Sequence, residues 1–250
     1  MSYQQYRPNS FSVLPPVVKN LLILNGLLFL GSLVAESQFA IDLSETLGLH
    51  FPLSEKFHPY QLVSYMFMHG SFMHLFFNMF ALWMFGNVLE NYWGPKRFLI
   101  YYMITGIGAG CIQILVTYLR LESLYPQVSS EDLNLIISKG AEVISGGKNF
   151  IDNSMGEINM LLNSSTIGAS GAVFGILLAF GMLFPNTLLY IYFAIPIKAK
   201  WFVVLYGGME LFSGIANNPE DNVAHFAHLG GMLFGFILIK IWQKNKKKIF

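Results

Sequence analysis

Five polar side chains lie in stretches that are otherwise almost wholly apolar: His74 and Asn78, Ser170, and His225 and His228. A polar group inside an apolar span is expensive, so each marks a candidate site. A hydroxyl and an imidazole together suggest nucleophilic catalysis, in which the ring takes the hydroxyl proton while the oxygen attacks a carbonyl. Ser170 sits in Gly168-Ala169-Ser170-Gly171, where missing side chains let a substrate backbone approach closely. If a helix begins there, its free N–H groups can hold a developing oxyanion. Alone, such a serine serves as readily as a helix-contact residue bonded to a carbonyl.

His228 opens the run Ala227-His228-Leu229-Gly230-Gly231-Met232-Leu233-Phe234-Gly235. Gly231 and Gly235 follow it at i+3 and i+7, on one helical face. Gly171 and Gly175 offer a matching small face, so close packing of the two helices would set the imidazole against the hydroxyl. His74 and Asn78 are four apart and point one way. They suit an oxyanion hole beside Ser170; without that serine, a polar clasp between helices is the better reading. A metal hydrolase built on His69, His74, His225 and His228 is the competing chemistry, but it lacks a carboxylate or thiolate at that depth. Glu90 and Glu210 are read as structural polar contacts, His69 and His225 as mainly structural, and His50 and His58 as loop residues.

The elements that must position these groups follow from composition. The 250 residues are 54% hydrophobic and only 12% charged, with 23 Phe and 23 Gly, and the mean hydropathy is +0.51. Soluble domains carry about a quarter charged residues, so this chain is an all-α integral membrane protein in a lipid bilayer. Fifteen basic against 14 acidic residues supply no field for nucleic acid. The lone Cys111 excludes an internal disulfide and a cysteine metal cluster, and no cofactor or metal is expected.

Apolar runs of about 20 residues place six transmembrane helices at about 17–35, 72–89, 98–119, 167–184, 201–215 and 223–242, with 188–197 as an interfacial segment. Long outer loops fill 36–71 and 120–166, and the whole chain, 1–250, reads as a single domain. Both termini are cytoplasmic on this topology. Eleven Lys and Arg then fall inside, among them Arg7, Lys96, Arg97 and Lys244, against Lys56, Arg120, Lys139 and Lys148 outside. The second, fourth and sixth helices all start at the outer face. Their polar groups share a depth within about two turns of it, some ten ångströms at ~1.5 Å per residue. Met1 to Pro16 lacks the features of a signal or transit peptide, which favours a bacterial plasma membrane.

These residues resemble a known family, the rhomboid intramembrane serine proteases. The resemblance rests on His69-Gly70-Ser71-Phe72-Met73-His74-Leu75-Phe76-Phe77-Asn78, on Gly168-Ala169-Ser170-Gly171, and on the Ala-His-x-x-Gly-x-x-x-Gly run at Ala227. Gly106 and Gly110 add another small-residue pair. It implies a rhomboid-like six-helix bundle and an endopeptidase that cleaves transmembrane segments of single-span proteins near the outer face. Ser170 would be the nucleophile and His228 the base, a dyad without a third acid. His74, Asn78 and the Ser170 N–H would form the oxyanion hole. Phe174, one turn below Ser170, would stack on the histidine where many members carry Tyr. The fifth helix and 216–222 would be gate and cap. Tyr60-Gln61 departs from the Trp-Arg pair of some members, and 120–166 is longer than in minimal ones. The alternative within the family is an inactive scaffold that binds membrane proteins.

Overall fold

Pro16 occupies the first position of α1 (Pro16–Phe39), where the missing N–H costs nothing. Its first turn is held from another helix: the Glu90 carboxylate, 2% exposed, accepts from the Val17 and Val18 N–H groups at 2.9 and 2.8 Å. The computed structural model describes residues 11–191, 194–216 and 223–246. Arg7, Asp221, most of the expected 216–222 cap and the lysines at 247–248 lie outside that set.

After the short α2 (Leu43–Leu47) and α3 (Gln61–Ser64), α4 (Phe72–Ala81) runs through a wide turn at Leu82–Gly86 into α5 (Asn87–Trp93). Gly94, at φ +81°, breaks the chain before α6 (Pro95–Leu124). Then come α7 (Ser130–Ser145), α8 (Asn153–Asn163), α9 (Ser170–Leu183), α10 (Ala199–Ala216) and α11 (His225–Lys246). The expected interfacial segment is an antiparallel hairpin of β1 (Leu188–Ile191) and β2 (Ile195–Lys198).

Among the described residues, four helical stretches are long and apolar enough to cross a membrane: Pro16–Phe39, Phe72–Trp93, Pro95–Gln127 and His225–Lys244. Phe72, Phe76 and Phe77 on α4 and Leu27, Leu30 and Val34 on α1 are exposed, as residues facing acyl chains would be. The chain is a multi-pass integral membrane protein. The fourth expected span is shorter than the sequence suggests. Helix α9 begins at Ser170, not Ile167, and its 14 residues cover about 21 Å. It is the packed centre: Ala172, Ile176 and Ala179 are at most 1% exposed, and α6, α10 and α11 surround it.

The 120–166 segment is not the loop its polarity suggests. Ser129 caps α7 by accepting from the Asp132 N–H, and Asp152 caps α8 by accepting from the Met155 N–H. The two helices close over a small second core of Phe51, Leu121, Leu124, Ile136 and Ile158. Arg120 reaches Glu157 at 2.9 Å. Paired backbone bonds of 2.9 Å join Leu49 to Thr166, pinning the return of this segment just ahead of Ser170.

Candidate active site

Glycine decides how near the two key helices come. A Cβ on Gly231 of α11 would run into the Gly171 carbonyl oxygen of α9, so these helices touch backbone to backbone. The rest of the expected glycine match is different. Gly175 packs on Thr105, and Gly235 on Tyr101 and Thr105, so both glycines serve contacts with α6. Gly106 makes room for Met66, and Gly110 for Leu49 and Tyr65.

The start of α9 is fixed with similar economy. The Gly168 N–H donates to the Tyr65 carbonyl at 2.9 Å, and the Tyr65 hydroxyl donates to the Gly106 carbonyl at 2.7 Å. Gly168 has φ +127°, a conformation that L side chains rarely adopt. A Cβ there would also lie 2.7 Å from His74 Nε2 and 3.6 Å from Ser170 Oγ. The space left by the missing side chain is thus bounded by two of the candidate groups.

Ser170 Oγ lies 2.8 Å from His228 Nε2. Phe174 stacks on the His228 ring at 4.2 Å between centroids and 6° between planes. Tyr206 of α10 stacks on the far face of Phe174 at 5.2 Å and 8°. His74 stands at the Gly168 space with its ring edge against His69, 5.0 Å away. Asn78 is buried one turn deeper and donates one amide hydrogen to the His74 carbonyl at 3.0 Å. The structure therefore joins Ser170 and His228 directly and brings His74 to the same space. Asn78 is tied to its own helix.

One expectation fails. No third acid is expected at the site from the sequence, yet Glu210 Oε2 accepts from His228 Nδ1 at 2.8 Å and from His225 Nδ1 at 2.7 Å. These side chains are only 9% to 13% exposed. Glu210 and His228 are 18 residues apart, on different helices, so no sequence spacing links them. The available signal was a charged residue within an apolar helix. The contact has a chemical consequence. An ionised carboxylate only accepts, so it places the proton of His228 on Nδ1 and leaves Nε2 free to accept from Ser170. Serine, histidine and glutamate form one hydrogen-bonded chain in the order that a nucleophile, its base and an orienting acid require.

His225 shares the Glu210 oxygen with His228. His69 is buried, and among the described residues neither ring nitrogen has a hydrogen-bond partner. Burial first, and then neighbouring His74, push its imidazole down to about 4. Glu90 is a structural contact, as expected, although the helix end it caps is the start of α1.

Fold and site together define a helical, multi-pass membrane protein with a Ser–His–Glu chain sunk into one end of its bundle. Residues 56–245 match the family described as the Rhomboid domain, and the chain belongs to the rhomboid family. It is 24% identical over 186 residues to the yeast mitochondrial rhomboid protein 1, covering 73% of this chain and 42% of that one. A mitochondrial rhomboid-like protein of Arabidopsis thaliana is 26% identical over 231 residues, covering 92% and 59%. YdcA of Bacillus subtilis, whose name marks it as a candidate rhomboid protease, is 25% identical over 191 residues, covering 76% and 70%. The chain spans about half the length of the mitochondrial relatives it matches.

Proposed function

We propose that this protein is an intramembrane serine endopeptidase that cuts transmembrane segments of single-span membrane proteins. The observation that carries the reading is the 2.8 Å approach of Ser170 Oγ to His228 Nε2, with Glu210 behind the ring. Ser170 attacks the scissile carbonyl carbon as His228 Nε2 takes its proton. The C–N bond then breaks, and the same proton passes to the leaving amine. Water, deprotonated by His228 in turn, attacks the acyl-enzyme, releases the carboxylate product and restores the serine. His74 and the Ser170 N–H receive the oxyanion in the space beside Gly168. Asn78 supports them with its second amide hydrogen.

A substrate helix hides its carbonyls in its own hydrogen bonds, so segments with helix-breaking or small residues near the site are the preferred substrates. The charge bias of the loops orients the molecule with both termini cytoplasmic and the site toward the opposite face, in a six-span topology with α9 and α10 completing the count. A bacterial plasma membrane draws no support from the relatives, two of which are mitochondrial. The hydrogen-bonded Ser–His pair is what an inactive scaffold would have no reason to keep.

A fluorophosphonate probe tests the reading. Labelling of the detergent-solubilised protein that is lost in Ser170→Ala and in His228→Ala supports it, together with loss of cleavage of a model single-span substrate. Undiminished cleavage by Ser170→Ala overturns it.

A further inference from the structure

Glu210, His225 and His228 have a second use that the serine chemistry does not call on. His225 and His228 are three apart on α11 and present Nδ1 to one carboxylate oxygen of α10. The three atoms all lie within 4.8 Å of one another. Two imidazole nitrogens and one carboxylate oxygen are a donor set suited to zinc, which keeps a fourth position for water, and ill suited to magnesium or calcium, which take oxygen ligands. The N–O separations are now 2.7 and 2.8 Å, each bridged by a proton. Donors around a tetrahedral zinc, each ~2.0–2.1 Å from the metal, sit roughly half an ångström further apart. All three side chains come from the packed α10 and α11, and His225 is the first residue of its helix, at the end of the bundle.

We propose that these three residues form an inhibitory zinc site. The effect on catalysis follows from proton placement and rests on the serine-protease reading, whereas the binding itself does not. A neutral imidazole that coordinates through Nδ1 carries its one proton on Nε2. Zinc binding therefore moves the His228 proton from Nδ1 to Nε2, with solvent as carrier and no net proton released. Nε2 then donates toward Ser170 Oγ and has no lone pair to accept the serine proton. The metal also occupies the Glu210 oxygen that orients the ring. Zinc switches the base off while leaving the nucleophile in place.

Binding is measured first on the Ser170→Ala protein, solubilised and freed of metal with a chelator, so that activity plays no part. Calorimetric titration with zinc gives one ion per chain, zinc raises the unfolding temperature, and magnesium does neither. Adding His225→Asn in that background weakens zinc binding at least ten-fold. The absence of saturable one-to-one binding, or binding indifferent to His225→Asn in a variant that unfolds at its normal temperature, overturns the site. In the unsubstituted protein, zinc slows fluorophosphonate labelling and substrate cleavage with the midpoint found for binding, and a chelator reverses both. Zinc that binds but leaves labelling and cleavage unchanged overturns the inhibitory role. Zinc that activates cleavage likewise overturns that role, while Ser170→Ala still decides the serine mechanism. If no preparation cleaves substrate, the protease reading fails, while the binding titration still decides the site.

Discussion

Ser170, His228 and Glu210 give predictions that separate the chemical step from orientation. Ser170→Ala and His228→Ala each abolish cleavage of a single-span substrate in liposomes, scored by product on a gel. Glu210→Gln keeps the size of the side chain but removes the charge that holds the His228 proton on Nδ1. Loss of the comparable acid in a serine–histidine–aspartate site costs about 10⁴ in kcat, so a fall of 10²–10⁴ in kcat with little change in KM is expected. His69 yields a different prediction. Its imidazole, about 4 in the folded protein, returns to about 6.5 on unfolding. The unfolded chain then binds more protons, so stability is whole above pH 6.5 and declines as pH falls toward 4. The contribution is on the order of 3 kcal/mol, at ~1.4 kcal/mol per pH unit. Unfolding temperatures recorded from pH 7 to 4 show the decline, and His69→Leu flattens it. Ser170 and His228 were legible because each lies in a short motif with its own glycines. Glu210 was not, because the pairing depends on the register between α10 and α11. That register is set by contacts such as Gly207 against Met232 and Gly214 against Phe226, which no local pattern announces.

At the scale of elements, the approach of α9 and α11 governs whether the site exists at all. Gly231→Ala forces a methyl group against the Gly171 carbonyl, so the helices must separate. The expected costs are about 1–3 kcal/mol of stability and a large part of the activity, since the Ser170–His228 bond spans the same contact. Thermal unfolding and probe labelling of the variant read the two effects separately. Long apolar runs made α1, α6 and α11 readable almost to their ends. Helices α7 and α8 were hidden for a physical reason: each buries only a narrow stripe, so its composition resembles a loop. The local signals were nonetheless present, in Ser129 three residues before Asp132 and in the Leu133, Ile136, Gly140 spacing. Ile136 and Ile158 are both wholly buried, and truncating either to Ala removes about 2–5 kcal/mol from that layer. Limited proteolysis within 120–166 rises in both variants, while Ser170 labelling persists.

Across the whole molecule, the candidate site and the aromatic cluster lie toward opposite ends of the bundle, with Asn25 and Thr105 buried between them. The Ser170–His228–Glu210 chain occupies one end. Trp93, Trp242 and Tyr101 cluster near the other, with Arg97 over the Trp242 ring at 5.5 Å. Trp242 lies roughly 25 Å along α11 from His225, which is the separation expected between an aromatic belt and a site near the opposite interface. Helix α1 belongs to this whole although the family match begins only at residue 56. Its first two free amides are the only hydrogen-bond donors within reach of Glu90 among the described residues. A fragment excised at the family boundary would leave the Glu90 carboxylate without those two donors, a loss of about 1–3 kcal/mol. The leading helix is a keystone, and the smallest piece of this chain able to stand alone includes residues that the family match leaves out.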